Sequence, residues 1–390
     1  MSITQIAAIL PVYNGEEHLS EAIASVCAQD TDDWTLYVVD DGSHDATPDI
    51  LRSWQQRYPD KIKLYRMDVN SGAAAACNAG LDRAGGHPYI VIVNADDVQV
   101  SSRFSRLLRE IKRTRADIVM HDCEIIDGSG ARTGRTKGFE GNITPRNVLA
   151  EQLRRNHFWS GLVICRNTPD LRFDPHITIS EDYDLFTRLF YKGATFSYLD
   201  ERLLLYRVHD RNISLSYQRS DDIFVKMFNK YDITDLENKI RKAYDEPGEV
   251  YLSLAHVCMY RRERESALRY LERGVEVSGR RDQCLSSLMF MKGYLLYLDY
   301  QLSISLAAFA EGLSAADTVN PAFYNNLGAL IYLVHRDADE AQSLIRKAVE
   351  IEELYSDARH NLESIEKGGQ LPLRITPRLL RTHIYRSLPV

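Results

Sequence analysis

The stretch YIVIVNADDVQV, Tyr89 to Val100, poses the question on which the fold turns. An unbroken run of β-branched and aromatic residues favours a strand buried on both faces. This one ends on adjacent carboxylates, Asp96 and Asp97, just after Asn94. Two carboxylates side by side in a crevice repel unless a positive charge lies between them, and hard oxygen ligands of this kind suit Mg²⁺ or Mn²⁺. An Asp pair that merely opens a capped turn before the helix-compatible VQVSSRF is the other reading.

Upstream, the runs IAAILPV, TLYVVD and IKLYRM alternate with helix-compatible stretches, the βαβ pattern of a mostly parallel sheet. Ligands in such sheets bind at the carboxyl ends of the strands. Asp40 and Asp41, ending the second strand, therefore line one crevice with Asn94, Asp96 and Asp97. In VVDDGSHDATPDIL, an ionised Asp41 is suited to accept the imide N–H of a uracil ring; a plain Asp-Gly turn is the alternative. A first helix is expected near Asn14-Gly15, with Glu16 and Glu17 in its first turn. A further helix is expected from Gly72, where NSGAAAACNAGLDRA permits close backbone approach to phosphates or to another helix.

Downstream, ISEDYDLFTRLF sets Glu181 and Asp182 ahead of an amphipathic helix with Leu185, Phe186 and Leu189 on its apolar side. A carboxylate there can deprotonate a hydroxyl as general base, while capping by Ser180 is the bland counterpart. LLLYRVHDRNIS adds His209, a neutral nitrogen ligand, with Arg207 nearby. A structural histidine after an apolar strand is the competing reading. Trp159, in RNHFWSGLVICR, offers an aromatic face to a sugar ring or a side chain to the core.

Beyond about Tyr251 the pattern becomes helical with a recurring frame. Leu254, Ala255, Ala267, Leu271 and Gly274 are nearly repeated by Leu327, Gly328, Ala341, Ile345 and Ala348, and Gly293, Leu296, Phe309 and Gly312 form a weaker middle unit. Small residues at fixed positions and a period of about 35 residues resemble tetratricopeptide repeats; an unrelated helical bundle is the alternative. The expected organisation is an α/β domain over 1–225, a linker over 226–248, tetratricopeptide-like helical repeats over 249–366 and a basic tail over 367–390. The tail either seals the last repeat or rests on an anionic leaflet or glycan; Pro372 and Pro377 interrupt any long amphipathic helix and favour sealing.

A formal charge of -7 over 390 residues argues against bulk attraction to nucleic acid, so no nucleic-acid partner is expected. The cysteines form no C-x-x-C pair or zinc-like cluster and read as reduced core thiols. There is no secretory h-region and no apolar run of about 18 residues. The expectation is a cytoplasmic protein, with the tail as the route to the inner face of a membrane.

The ordered succession PVYNGEEHL, VVDDGS, NSGAAAACNAG, VNADD, SEDYDLFTRL and YRVHDRNIS resembles the family-2 glycosyltransferases of the GT-A fold, over roughly the first 215 residues. The resemblance implies an inverting, metal-dependent transfer of a sugar from a UDP-sugar, with Mn²⁺ or Mg²⁺ as cofactor. Carried over residue by residue, it puts Pro11, Val12, Tyr13 and Asn14 at the nucleoside and Asp41 at the base, with Asp40 among the donor-binding residues. Asn94 and Asp96 fall at the ribose, and Asp96, Asp97 and His209 at the metal. Arg207 is near the diphosphate, and Asp182, with Glu181, is the base. Cys77 stands where the family often has Arg, with Arg83 or Arg207 as a stand-in, and Asn94 replaces the first acid of D-x-D-D. The repeats point to a peptide or protein acceptor or to a homo-oligomer. A surface-polysaccharide transferase is the alternative, and a catalytically degenerate binding scaffold a further one. A nucleotidyltransferase would need a glycine-rich phosphate loop and lysine near the first strand, where this chain has PVYNGEEH.

Overall fold

The computed structural model describes residues 4–139, 142–209, 221–279, 284–318 and 320–380, and the backbone of Arg386–Ser387. The chain divides into two compact units, Met1–Lys230 with Ile384–Val390, and Tyr231–His383.

The first unit runs β1 (Ile6–Val12), α1 (Leu19–Cys27), β2 (Trp34–Asp40), α2 (Thr47–Arg57), β3 (Ile62–Arg66), α3 (Ala73–Arg83) and β4 (Tyr89–Ile92). It continues through β5 (Val98–Gln99), α4 (Arg103–Thr114), β6 (Ile118–Asp127), β7 (Arg132–Lys137), α5 (Val148–Arg154), a 3₁₀ turn (Ser160–Leu162), β8 (Val163–Arg166), α6 (Glu181–Tyr191), β9 (Phe196–Val208) and α7 (Asp221–Phe228). The main path of the sheet is β7-β6-β8-β4-β1-β2-β3. Strands β1 to β4 pair in parallel, β8 runs antiparallel between β4 and β6, and β9 lies parallel to β6.

Successive residues of β1 serve opposite faces, as a pleated strand requires. Ala7 and Ile9 join one core with Cys77 and Leu81 of α3 and Phe186 of α6. Ile6, Ala8 and Leu10 join another with Ile23 of α1 and Phe104 of α4. Both faces of the sheet are thus covered by helices, which is why its central strands read as continuous apolar runs. The α/β reading of this part of the chain holds. The first helix starts later than the turn at Asn14-Gly15 suggested: α1 opens at Leu19. The segment VQVSSRF is not all helix, because Val98–Gln99 first pairs with Leu204 and Leu205 of β9.

The second unit is helical: α8 (Ile233–Ile240), α9 (Pro247–Tyr260), α10 (Arg264–Val277), α11 (Cys284–Leu298), α12 (Leu302–Ser314), α13 (Pro321–His335), α14 (Ala338–Ile351) and α15 (Ser356–Glu366). Its small residues sit where helices meet. A methyl at Gly274 would come 2.7 Å from Leu288, at Gly293 3.0 Å from Phe309, and at Gly328 2.6 Å from Ile345. Helix α8 lies inside the segment expected to link the two parts. The tail from Lys367 to Leu380 lies on α13 and α15, with the carbonyl of Leu380 bonded to Asn320 and that of Arg374 to Asn361. Beyond Leu380 only the backbone of Arg386–Ser387 is described; it forms β10 and pairs antiparallel with β7. Among the described residues no helix is long and apolar enough to cross a membrane.

Candidate functional site

The carboxyl ends of β1 and β2 are held together by a reciprocal set of hydrogen bonds between the loops that follow them. Asn14, forced to φ +48° by the turn out of β1, accepts at its Oδ1 from the N–H of His44 and donates its own N–H to Ser43 Oγ. Gly15 N–H donates to Thr47 Oγ1, and Glu16 and Asp45 exchange bonds with each other's loop. Asp40 is buried beneath these loops, accepting from Ser43 N–H at 2.8 Å and paired with Arg66 at 2.7 Å. Asp41 turns the other way. Its two carboxylate oxygens accept the N–H groups of Ser71 and Gly72, each at 2.8 Å. It thereby fixes the amino end of α3, where Gly72 takes φ +89°. Pro11 and Val12 close β1, and Tyr13 follows them 45% exposed, with its ring available to a ligand.

Asn94, Asp96 and Asp97 follow β4, but their environments separate them. Asp97 is 1% exposed; Asn94 Nδ2 donates to its Oδ2 at 2.8 Å and Arg207 N–H to its Oδ1 at 2.9 Å. Burial, with the neighbouring Asp96 carboxylate second, pushes Asp97 up to about 7. Asp96 is outward by comparison, and its Oδ2 lies 3.2 Å from His209 Nε2. His18, after β1, brings its ring centroid to 5.2 Å from that of His209. Burial and the charge of Arg207 hold His18 below the usual imidazole range.

Arg207 is 1% exposed. Its Nε donates to Asp96 O at 2.8 Å, Nη1 to Gly128 O at 3.2 Å, and Nη2 pairs with Glu21 at 2.5 Å. A planar fork used in this way ties the Asp96 turn, the end of β6 and α1 together. Arg83 is also engaged locally, over the ring of Tyr65 at 3.4 Å and bonded to Ala79 O. Cys77 is buried in the core, its thiol pushed up by burial and by the nearby Glu181.

The acidic pair Glu181 and Asp182 opens α6. Its N-cap residue, Ser180, has φ +56° and makes no side-chain cap bond, so the capping role available to that serine is not taken up. Asp182 Oδ1 accepts from Tyr183 N–H at 2.7 Å and from Asn156 Nδ2 at 3.1 Å. Burial first, then the charge of Glu181, raises Asp182 to about 7, against the lowering influence of Tyr183 N–H, Lys137 and Ser160 N–H. Burial raises Glu181 as well. Lys137 Nζ sits 3.9 Å over the ring of Trp159.

Residues 156–161 connect the two acidic groups. Asn156 and Ser160 touch Asp182, while Gly161 is so close to Asn94 that a methyl there would meet Asn94 Nδ2 at 2.7 Å. Gly161 O also accepts from Arg103 at 2.7 Å. Arg103 is fully buried, bonded to His121 Nε2 at 2.9 Å and to Gln99, and burial lowers it to about 9. Sequence reading singled out Asp96, Asp97, Asp182 and His209 but not His18, Glu21, Arg103, Lys137 or Asn156. His18 and Glu21 belong to the helix opened by PVYNGEEHL, and their spacing gave no sign that α1 turns them toward a strand-end far along the chain. Arg103 carried no signal, since it is one of several charged residues in α4, RFSRLLREIKRT.

Asp96 Oδ2 and His209 Nε2 are oxygen and imidazole donors of the kinds that divalent cations take. Asp97 has both oxygens engaged and stands behind them. Among the described residues no group of three or more His, Cys, Asp or Glu is placed to hold a metal by itself. Asp210 to Ser214 of the histidine motif lie outside the described residues.

Residues 7–171 match the family profile described as Glycosyl transferase family 2. An uncharacterized glycosyltransferase of Nostoc sp. is 31% identical over 220 residues, 54% of this chain and 67% of that protein. The minor teichoic acid biosynthesis protein GgaB of Bacillus subtilis is 26% identical over 261 residues, 65% of this chain but 28% of that protein. Among solved structures, residues 1–349 of TarS from S. aureus in complex with UDP share 18% identity with a TM-score of 0.47, covering 95% of this chain and 97% of that one.

Proposed function

Because the chain belongs to glycosyl transferase family 2, we propose that this site moves a sugar from a UDP-sugar to a hydroxyl, with inversion and with Mn²⁺ or Mg²⁺. The observation that carries the reading is the division of labour between two acidic pairs. Asp96 stands 3.2 Å from a histidine at the strand ends, and Asp182, raised to about 7, stands across the 156–161 segment. A group poised near neutrality is what a general base needs, since it must be ionised before the reaction and able to hold the proton afterwards.

In this reading the nucleoside lies along Pro11 to Asn14, with Tyr13 against the base and Asp41 at its imide edge. Asp40 and Asn14 hold the loop that Asp41 begins. Asn94 reaches the ribose, and Asp97 and Arg207 hold the Asp96 turn in position. Asp96 and His209 are the residues that would hold a divalent cation, which when bound would neutralise charge on the departing diphosphate oxygens. Asp182 takes the proton of the acceptor hydroxyl, whose oxygen forms a bond to the anomeric carbon as the bond from that carbon to the diphosphate breaks. Asn156 aims the carboxylate, and Lys137 keeps part of it ionised near pH 7. Glu181 keeps the Asp182 proton affinity high. Trp159, steadied by Lys137, offers its face to the acceptor.

We assign a glycan or polyol-phosphate hydroxyl as acceptor, a choice supported by relatives named as a minor teichoic acid biosynthesis protein and a poly(ribitol-phosphate) beta-glucosyltransferase. The test is a panel of nucleotide sugars with Mn²⁺, reading UDP release with and without a polyol-phosphate acceptor. The expected result is release that requires a UDP-sugar, is abolished by chelation, and rises on adding acceptor. UDP bound tightly with no release from any donor would overturn it in favour of a binding scaffold.

A further inference from the structure

A second set of buried polar side chains, within the helical unit, takes no part in this chemistry. Asn325 and Asn326 on α13 and Asn361 on α15 are all fully buried, and a buried primary amide needs partners for its donors and its acceptor. Many of those partners are main-chain groups of residues 371–380, which form neither helix nor strand. Asn361 Nδ2 donates to Arg374 O at 2.7 Å, and its Oδ1 accepts Arg374 N–H at 2.7 Å. Asn326 does the same with Thr376, at 3.0 Å and 2.8 Å. Asn320, at the start of α13, does so with Leu380, at 2.8 Å and 3.2 Å. Each is a two-point clasp on one residue's C=O and N–H.

Clasps on Arg374 and Thr376 from one side require a spacing of two residues per repeat, which is that of an extended chain. Such bonds recognise main chain and leave the side chains to packing. Leu373 and Ile375 lie partly buried against the apolar clusters of these helices. The one side chain taken fully inside is that of Thr376, whose hydroxyl meets Asn325, Asp357 and Tyr355. The segment is reached through Gly368 and Gly369, at φ +73° and +74°, a left-handed pair that glycine adopts without strain.

We infer that the face formed by α13 and α15 is a binding site for an extended polypeptide main chain, and that residues 371–380 are its resident ligand, exchangeable for the same segment offered in trans by a second copy. A two-glycine joint and main-chain recognition are the elements that exchange of an identical segment requires.

The probe is a fluorescein-labelled peptide with the sequence of residues 371–380, added to the full chain. Thr376→Pro removes the N–H that Asn326 accepts and the buried hydroxyl, loosening the resident segment while leaving the groove intact. That chain is expected to bind the peptide at least roughly tenfold more tightly than the wild type, the equivalent of one to two hydrogen bonds. Binding is expected to vanish when Asn326→Ala and Asn361→Ala are added. Equal binding to wild type and T376P, or binding unchanged by the asparagine substitutions, would overturn the inference. The melting temperature of T376P is compared with that of the wild type to show that the last helices stay folded. Independently, excess unlabelled peptide added to ¹⁵N-labelled wild-type chain is expected to speed amide exchange at Arg374, Thr376 and Leu380; unchanged protection there would also overturn it.

Discussion

Replacing Asp182 by Asn separates stability from catalysis in a way the geometry makes quantitative. Asparagine keeps an Oδ1 that can accept from both Tyr183 N–H and Asn156 Nδ2, so the perturbation is the loss of one negative charge. The carboxyl is raised from 3.8 to about 7 by burial and by Glu181. That shift of roughly three units corresponds to at most about 4 kcal/mol of cost in keeping the folded chain ionised. The sign follows from where the proton sits. Below about pH 4 the group is protonated in both states and the substitution gains nothing. Between about 4 and 7 the unfolded chain releases the proton first, so the wild type loses stability as pH rises while the variant does not. Above 7 the variant is expected to be more stable by about 1–4 kcal/mol, read from urea midpoints between pH 4 and 8.5. Its UDP release in the presence of acceptor is expected to fall about 10²–10⁴-fold with donor binding retained. Superimposable stability curves, or a variant weaker than wild type at pH 8, would refute the account of a carboxyl held neutral by its surroundings.

Lys137→Met removes a charge that lowers Asp182, so the acidic limb of the pH–rate profile should move to higher pH; a limb that stays put counts against Lys137 acting on the base. Asp96→Ala and His209→Ala should each lower turnover by about 10²-fold or more and raise the Mn²⁺ concentration needed for half-activation, and an unchanged metal titration in both would remove the pair from the metal site. Arg207→Lys cannot reproduce the fork to Asp96 O, Gly128 O and Glu21, and should cost about 3–5 kcal/mol in denaturant unfolding; a loss below 1 kcal/mol would show those bonds to be incidental. Gly161→Ala puts a methyl against Asn94, so KM for the donor should rise several-fold with little change in melting temperature, and a KM equal to wild type would sever Asn94 from donor binding.

The strands around the crevice were legible because burial on both faces leaves an unbroken apolar signature, as in Tyr89–Val93, and because the acids at strand ends contradict it so sharply. The small residues of the helical unit were legible for a similar reason: Gly293 and Gly328 mark close helix approach at a fixed repeat. What sequence could not supply was the orientation of neighbours. Asp96 and Asp97 are adjacent and chemically identical, yet one faces a histidine and the other is enclosed by Asn94 and Arg207, because a turn points successive side chains in different directions. Arg207 read as a cation for the diphosphate, and its guanidinium is instead spent on three main-chain oxygens and Glu21. Asn156 and Lys137 gave no warning, since the fold brings them to Asp182 from the loop after α5 and the end of β7, far away along the chain. The asparagines of α13 and α15 read as ordinary helical positions until the tail lay across them.

Residues 156–161 touch Asp182, the proposed base, through Asn156 and Ser160, and Asn94, the proposed ribose contact, through Gly161, with Arg103 bonded to Gly161 O. On those proposed roles, donor preference and acceptor preference are not modular. An engineer who swaps the loop to admit a new acceptor also disturbs the seat of the nucleotide, and one who enlarges Gly161 to tune the donor tilts the base. Retargeting such an enzyme would have to move Asn94 and the whole 156–161 stretch as a single cassette.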